Sequence, residues 1–326
     1  MSNADTLTQP KTLLDAVQYF SDPDRCLNFL VALRWPEGVT CPHCGTTEPR
    51  FMEKRRVWQC NSKECRKQFS IKTDTIFEES PLGLDKWLPT MWLIVNAKNG
   101  VSSWEIHRAI GVTQKTAWFM LHRIRLAMQT ESFGKLSGTV EADETLIGGS
   151  LRFMHPDRKA QAKGRTHDGK VIVMGLLERH GEVRTTVVPD QTKKTLQAKV
   201  KQHVEKGAEV FTDELASYNG LSKEYVHDTI NHAETYVRGR VHTNCIENYW
   251  CLFKRCIKGT YVSVEPFHLF RYLDEEDFRF NSRKSTDAAR FTAAVASVAG
   301  KRLTYSELIG QDAPLGSMVV RGVGAV

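Results

Sequence analysis

Four cysteines crowd into 25 positions: Cys41-Pro-His-Cys44-Gly and, after fifteen further residues, Cys60-Asn-Ser-Lys-Glu-Cys65. Two cysteines two residues apart, with Gly just after, form a knuckle whose turn amides can face the thiolates. Two facing knuckles complete a tetrahedral all-sulfur site for Zn²⁺, closed to water and therefore structural. Four intervening residues in the second pair still lie within known ligand spacing. Disulfides would be the natural reading only in a small secreted chain. This chain has 326 residues, and its start, Met-Ser-Asn-Ala-Asp-Thr, lacks the basic and apolar regions of a signal peptide. His43 sits inside the first knuckle and is expected to face solvent. Cys26, Cys245, Cys251 and Cys256 have no knuckle spacing and suit small buried apolar positions. The zinc reading requires short strands and turns over residues 39–75.

Helical patterns flank that segment. Residues 12–34 carry two short apolar stripes broken at Ser21-Asp22-Pro23-Asp24, and Pro is tolerated in a first helical turn. Trp87, Leu88, Met91, Trp92 and Val95 form one stripe, which Asn99-Gly100 stops. Ser102-Ser-Trp-Glu105 offers a capping box for a helix through Ile110, Gly111-Val112 turns the chain, and Thr113 can cap the next helix. Ala117, Met120, Leu121, Ile124 and Met128 line the inner face of that helix, leaving Lys115, His122, Arg123 and Arg125 outside the stripe. Such a helix can enter a DNA major groove as the last part of a helix-turn-helix, with Lys115, Arg123 and Arg125 as contacts. The competing reading is a small helical bundle that packs on a catalytic domain.

Beyond Gly134–Gly138 the pattern changes to strands at 139–144, 171–178, 182–188, 208–212 and 225–230, with helices at 192–205, 244–257, 265–281 and 286–299. A strand-rich run followed by helices indicates a mixed α/β domain. The stretch 152–170 holds six basic residues against two acidic ones. The whole chain has 45 Lys+Arg against 38 Asp+Glu, a net charge of +7, which favours an anionic partner. Apolar runs such as Met91–Val95 are far too short to span a bilayer, so a soluble, cytoplasmic protein without a membrane partner is expected. The expected organisation is an N-terminal helical segment (1–35), a zinc ribbon (36–78), a helix-turn-helix DNA-binding region (79–133), a mixed-sheet catalytic domain (134–285) and a C-terminal helix and tail (286–326).

Three acidic residues stand out by context. Asp143 closes the strand Thr-Val-Glu-Ala-Asp, Asp213 closes Glu-Val-Phe-Thr-Asp, and Glu247 lies early in the helix His-Thr-Asn-Cys-Ile-Glu. Adjacent strand ends can bring two carboxylates together, and a helix across the sheet can supply a third. Such hard oxygen ligands suit Mg²⁺, and two ions about 4 Å apart can drive phosphoryl transfer. Asp143 and Asp213 could instead simply begin turns. Glu247 could be the third-position partner of a capping box with Asn244. Glu144 and Glu214 are immediate neighbours with the same chemistry, and strand alternation separates Asp143 from Glu144 only if the strand is regular.

The segments Val-Glu-Ala-Asp143-Glu-Thr-Leu-Ile-Gly-Gly, Phe-Thr-Asp213-Glu-Leu-Ala-Ser-Tyr and His242-Thr-Asn-Cys-Ile-Glu247-Asn-Tyr-Trp-Cys-Leu-Phe-Lys254-Arg resemble a family of bacterial insertion-sequence DDE transposases. Trp35-Pro with Cys41-Pro-His-Cys44-Gly, Gly259-Thr-Tyr, Leu269-Phe-Arg-Tyr-Leu-Asp-Glu and Arg279-Phe-Asn-Ser-Arg283 extend the resemblance over roughly residues 12–310. It implies a ribonuclease H-like catalytic domain in which Asp143, Asp213 and Glu247 are the triad holding Mg²⁺ or Mn²⁺. It also implies that Lys254, on the same helical face as Glu247, meets DNA phosphate near the scissile bond. The expected activity is metal-dependent cleavage and strand transfer at terminal inverted repeats, with double-stranded element ends and target DNA as partners and a homo-oligomer assembled on DNA. The alternatives are a metal-dependent nuclease that only hydrolyses and a catalytically inactive zinc-ribbon DNA-binding protein.

Overall fold

A computed structural model of the chain describes residues 10–129, 134–148, 170–230 and 241–311. Most of the basic stretch 152–170 lies outside the described residues. Helices α1 (Leu13–Tyr19) and α2 (Pro23–Arg34) come first, then strands β1 (Arg50–Met52), β2 (Val57–Gln59) and β3 (Gln68–Phe69). Helices α3 (Leu84–Asn96), α4 (Ser103–Ile110) and α5 (Gln114–Met128) follow. Next come β4 (Thr139–Ile147), β5 (Val171–Glu178), β6 (Val183–Val188), α6 (Lys193–His203), β7 (Glu209–Asp213) and β8 (Val226–Ile230). Helices α7 (Asn244–Cys256), α8 (Leu269–Asn281), α9 (Asp287–Ala296) and α10 (Tyr305–Leu308) complete the described elements. The chain is a mixed α/β protein made of two compact units, one drawn from residues up to Met128 together with those from Lys284, the other from Gln129–Arg283. Among the described residues, no helix is long and apolar enough to cross a membrane.

In the first unit the local signals act as the sequence suggests. Asp22 caps α2 with Pro23 in its first turn, and Ser102 and Glu105 close a capping box at α4. Gly111 then leaves α4 in the left-handed region at φ 64°. The C-terminal segment returns to this unit: α9 packs on α2 and α3, setting Phe291 against Phe20, Phe29 and Trp92 at ring separations of 5.0–5.8 Å.

That return corrects the reading of α5. His122, Arg123 and Arg125 are buried, with 0%, 5% and 1% exposure. Arg123 donates to the carbonyls of Leu303 (3.0 Å), Ile76 (3.0 Å) and Glu78 (2.7 Å) and lies 4.4 Å over the Phe119 ring. Arg123 and Arg125 therefore present no surface to DNA here. The apolar stripe marks one covered face of α5, while the residues after α9 and the loop before α3 cover a second face with carbonyls that attract guanidinium groups. Lys115, in the first turn, is exposed, its ammonium 4.6 Å from the Tyr305 ring. Truncating Arg123 to Ala leaves three carbonyls without their donor and should cost about 3 kcal/mol of stability. Lys115→Ala should leave thermal unfolding unmoved; equal melting of both variants would contradict the stapling role of Arg123.

The second unit is a five-stranded sheet of order β6-β5-β4-β7-β8. Strands β4, β7 and β8 run parallel, whereas β5 is antiparallel to both β4 and β6. Helix α6 covers one face, where Val140, Ala142, Met174 and Leu176 meet Leu196 and Val200. Helices α7 and α8 cover the other, where Val173 and Leu177 meet Ile246, Trp250, Phe253 and Leu273. Strand β4 runs past the expected end at 144 because its pairing with β5 is unbroken from Val140 to Ile147. It is thus a regular central strand with even-numbered residues toward α6 and odd-numbered ones toward α7. Asp277 of α8 accepts hydrogen bonds from the Thr185 amide (3.0 Å), the Thr185 hydroxyl (2.9 Å) and the Tyr249 hydroxyl (2.5 Å), tying α8 to β6 and α7.

Candidate functional site

Regularity of β4 separates Asp143 from its neighbour. Asp143 shares the face of Glu141, toward α7; Glu144 points the other way and accepts a hydrogen bond from the Tyr218 hydroxyl. Parallel pairing of β4 with β7 runs Thr139↔Glu209, Val140↔Val210 and Glu141↔Phe211. The pairing ends there; Asp143 and Asp213 each lie two residues beyond it, near enough for the charge of Asp213 to act on Asp143. Glu214, by contrast, is exposed.

On its other side Asp143 pairs with Gly175 of β5. A Cβ on Gly175 would lie 2.6 Å from Cζ2 of Trp250 and 2.8 Å from Cδ1 of Ile246. The missing side chain lets α7 settle on the sheet beside Asp143, and the Trp250 indole N–H donates to Asp143 Oδ2 at 3.0 Å. Glu247, three residues before Trp250, is its neighbour on the helix surface. Burial, and then the negative charges of Asp213 and Glu247, push Asp143 up to about 6. Asp143 thus feels both other carboxylates across the sheet–helix junction, though the oxygens of the three do not all close to within 4.8 Å. Gly175→Ala should push α7 outward, cost about 1–3 kcal/mol of stability and impair any chemistry that needs Glu247 beside Asp143. A variant with unchanged melting and activity would show that the junction tolerates the methyl.

The capping-box reading of Glu247 does not hold. The helix starts one residue earlier than that reading requires, with Thr243 as N-cap and Asn244 already helical. Glu247 instead accepts a hydrogen bond from the Thr243 hydroxyl at 3.1 Å. Lys254 lies two turns farther along α7 and is half-buried; seven residues advance a helix by roughly 10 Å.

Sequence reasoning missed Glu141. This carboxylate has 0% exposure. Its Oε2 accepts the backbone amides of Cys245 (2.8 Å) and Ile246 (3.1 Å), while Oε1 lies 2.7 Å from Arg179 Nε and 3.3 Å from His242 Nδ1. Arg179 also donates to the His242 carbonyl at 2.8 Å. Glu141, His242 and Cys245 have ligand atoms within 4.8 Å of one another. The positive charge that balances Glu141 there is the Arg179 guanidinium. The signal available in the sequence was a second acidic residue two positions before Asp143, hence on the same strand face.

In the first unit the four cysteines converge. All four sulfurs lie within 4.8 Å, with Cys41–Cys65 at 3.9 Å and Cys44–Cys60 at 3.5 Å. Sulfurs bound to one tetrahedral zinc at about 2.3 Å would lie about 3.8 Å apart. Gly45, at φ 76°, allows the first knuckle to turn, with its amide donating to the Cys41 carbonyl at 2.8 Å. Hydrogen bonding from Thr46 holds the Cys44 thiol down to about 6, while burial pushes Cys60 up to about 12. His43 is exposed with its ring against Phe69, away from the sulfurs' role. The donor set suits structural Zn²⁺.

Comparison with known proteins identifies both parts. A family model for the ISXO2-like transposase domain matches residues 135–281, and one for the transposase zinc-ribbon domain matches residues 21–68. A transposase-like protein of Haemophilus influenzae is 31% identical over 31% of this chain and 82% of its own length. The chain belongs to the ISXO2-like transposase family. A protein of the transposable element ISH50 of Halobacterium salinarum is 26% identical over 73% of this chain and 84% of its own. The transposase-domain match includes Asp143, Asp213, Glu247 and Lys254, and the zinc-ribbon match includes Cys41, Cys44, Cys60 and Cys65.

Proposed function

We propose that this transposase cleaves DNA at the ends of an insertion sequence and joins the freed 3′ ends to target DNA, with Asp143, Asp213 and Glu247 as ligands for Mg²⁺ or Mn²⁺. The observation that carries this reading is that Asp143 and Asp213 lie just past the paired part of neighbouring parallel strands, with Trp250 of the helix that bears Glu247 hydrogen-bonded to Asp143. A mixed sheet covered on both faces, with the first carboxylate on its central strand, supports a ribonuclease H-like catalytic domain. The donor set fits hard divalent cations: the three side chains offer carboxylate oxygens, and Asp143 is raised by burial first and then by the charges of Asp213 and Glu247. Bound there, two ions would activate the attacking oxygen and stabilise the leaving one. Trp250 holds Asp143 Oδ2 in place. Lys254 would present its ammonium to a phosphate alongside α7.

Recognition of the terminal repeats falls to the first unit, as a zinc ribbon followed by a helix-turn-helix-like set. Because α5 is covered from Met120 onward apart from Leu126, its first turn, with Gln114, Lys115 and Thr116, is the part left to meet DNA. Two ends must be held for joining, which favours a homo-oligomer on DNA. The test is incubation of the purified protein with labelled element ends, target plasmid and Mg²⁺ or Mn²⁺. Nicked ends together with joined product are expected. Cleavage without joining would mark a nuclease, and binding without either would mark a non-catalytic DNA-binding protein.

A further inference from the structure

We infer that Glu141 is a positioning residue that, together with Arg179, sets where Glu247 stands relative to Asp143. The inference rests on the proposed ligand role of Glu247. The first turn of any helix leaves amides without helical partners, and a side chain at the N-cap usually takes one. Thr243 does not cap α7; its hydroxyl goes to Glu247 instead. The cap comes from β4, about a hundred residues away in sequence, as Glu141 Oε2 takes the amides of Cys245 and Ile246 at 2.8 and 3.1 Å. The other oxygen is held by Arg179 Nε at 2.7 Å, and Arg179 Nη2 holds the His242 carbonyl at 2.8 Å. The chain is therefore gripped on both sides of the Thr243 bend, at residue 242 and at residues 245–246, by one carboxylate and its guanidinium. Glu141 and Asp143 are alternate residues of one strand, so their spacing is rigid at about 6.8 Å. Whatever fixes the first turn of α7 to Glu141 also fixes Glu247 to Asp143. The rest of α7 is secured independently by Tyr249, Trp250 and Phe253 in the core, so loosening the clamp should loosen the first turn without releasing the helix.

The test compares full-length wild type, Glu141→Gln, Arg179→Lys and Glu247→Gln for Mn²⁺ binding by electron paramagnetic resonance, alongside thermal unfolding and cleavage of labelled ends. Gln keeps the length of Glu141 but sets an amide N–H₂ against donors on one side. Lys keeps the charge of Arg179 but has all its donors on one nitrogen, so it cannot reproduce the fork by which Nε reaches Glu141 and Nη2 the His242 carbonyl. Residues that orient metal ligands typically change metal affinity about 10–100-fold, so half-saturation in Glu141→Gln should rise at least tenfold. Its cleavage defect should shrink as Mn²⁺ is raised. If Glu141→Gln does not fold, Arg179→Lys reports on the same clamp and should shift half-saturation in the same direction. Wild-type Mn²⁺ binding in the folded clamp variants, with only a lower melting point, would overturn the inference while leaving the ligand reading intact. Wild-type Mn²⁺ binding and cleavage in Glu247→Gln would instead overturn the ligand reading, and the positioning role with it.

Discussion

Replacing Asp143 or Asp213 by Asn, or Glu247 by Gln, should lower cleavage and joining by on the order of 10²–10³ or more while leaving binding to element ends nearly intact. These substitutions remove charge but hardly any volume, so a loss of activity is chemical in origin. Asp143→Asn can still accept the Trp250 hydrogen bond. Its stability should move opposite to its activity. Burial above all pushes Asp143 up to about 6 in the fold, from 3.8 for the free side chain. Folding therefore takes up a proton between those values, and the stability contributed by the protonated acid is lost as pH rises through that window. In EDTA at pH 8, Asp143→Asn should thus melt no lower than wild type. Glu214→Gln, at an exposed position, should retain activity. Lys254→Ala should reduce joining more than metal binding, with partial rescue by Arg, whose shape differs. Activity in Glu247→Gln together with its loss in Glu144→Gln would show that the ligands were assigned to the wrong face of β4.

Removal of zinc should be equally severe for the first unit. The ribbon has strands of only three, three and two residues. Its apolar content is a small cluster in which Trp58 meets Trp35, Phe51 and Phe69 at 4.8–5.8 Å. So small a core cannot offset the entropy of ordering its loops, and structural zinc typically contributes about 10–16 kcal/mol of binding free energy that is at once folding free energy. Wild type should carry one zinc per chain. Cys60→Ser should lose it, together with the tryptophan fluorescence signature of the packed cluster and affinity for element ends. His43→Ala should keep the metal. Equal zinc content in wild type and Cys60→Ser would sink the assignment.

Features encoded by neighbours in the chain were the most legible. The cysteine knuckles, the Ser102–Glu105 capping box, the Gly111 turn and the Pro23 helix start each depend on a few consecutive residues. Features encoded by strand pairing were not. Whether Asp143 or Glu144 faces α7 depends on β4 being regular, which in turn depends on β5 more than thirty residues later. Gly175 carries no chemistry of its own, and its meaning appears only when Trp250 lies over it. Glu141 looked like an ordinary strand residue until Arg179 and the amides of α7 were brought to it. The error over Arg123 has a similar origin. A helical stripe records the most apolar face, but a face covered by carbonyl-rich loops looks polar in sequence and is buried all the same.

The return of α9 and α10 to the first unit also imposes an order on synthesis. Residues Phe20, Phe29 and Trp92 leave the ribosome long before Phe291, and Arg123 long before the carbonyl of Leu303. Everything in Gln129–Arg283 must be translated in between. A nascent chain that has just passed Arg283 holds every carboxylate of the candidate site, yet the unit proposed to read DNA still lacks its closing helix. Contacts of such long sequence separation form slowly, and the apolar faces awaiting them stay exposed until the end. The unit proposed to find DNA is thus completed last, after the unit proposed to be catalytic has been translated.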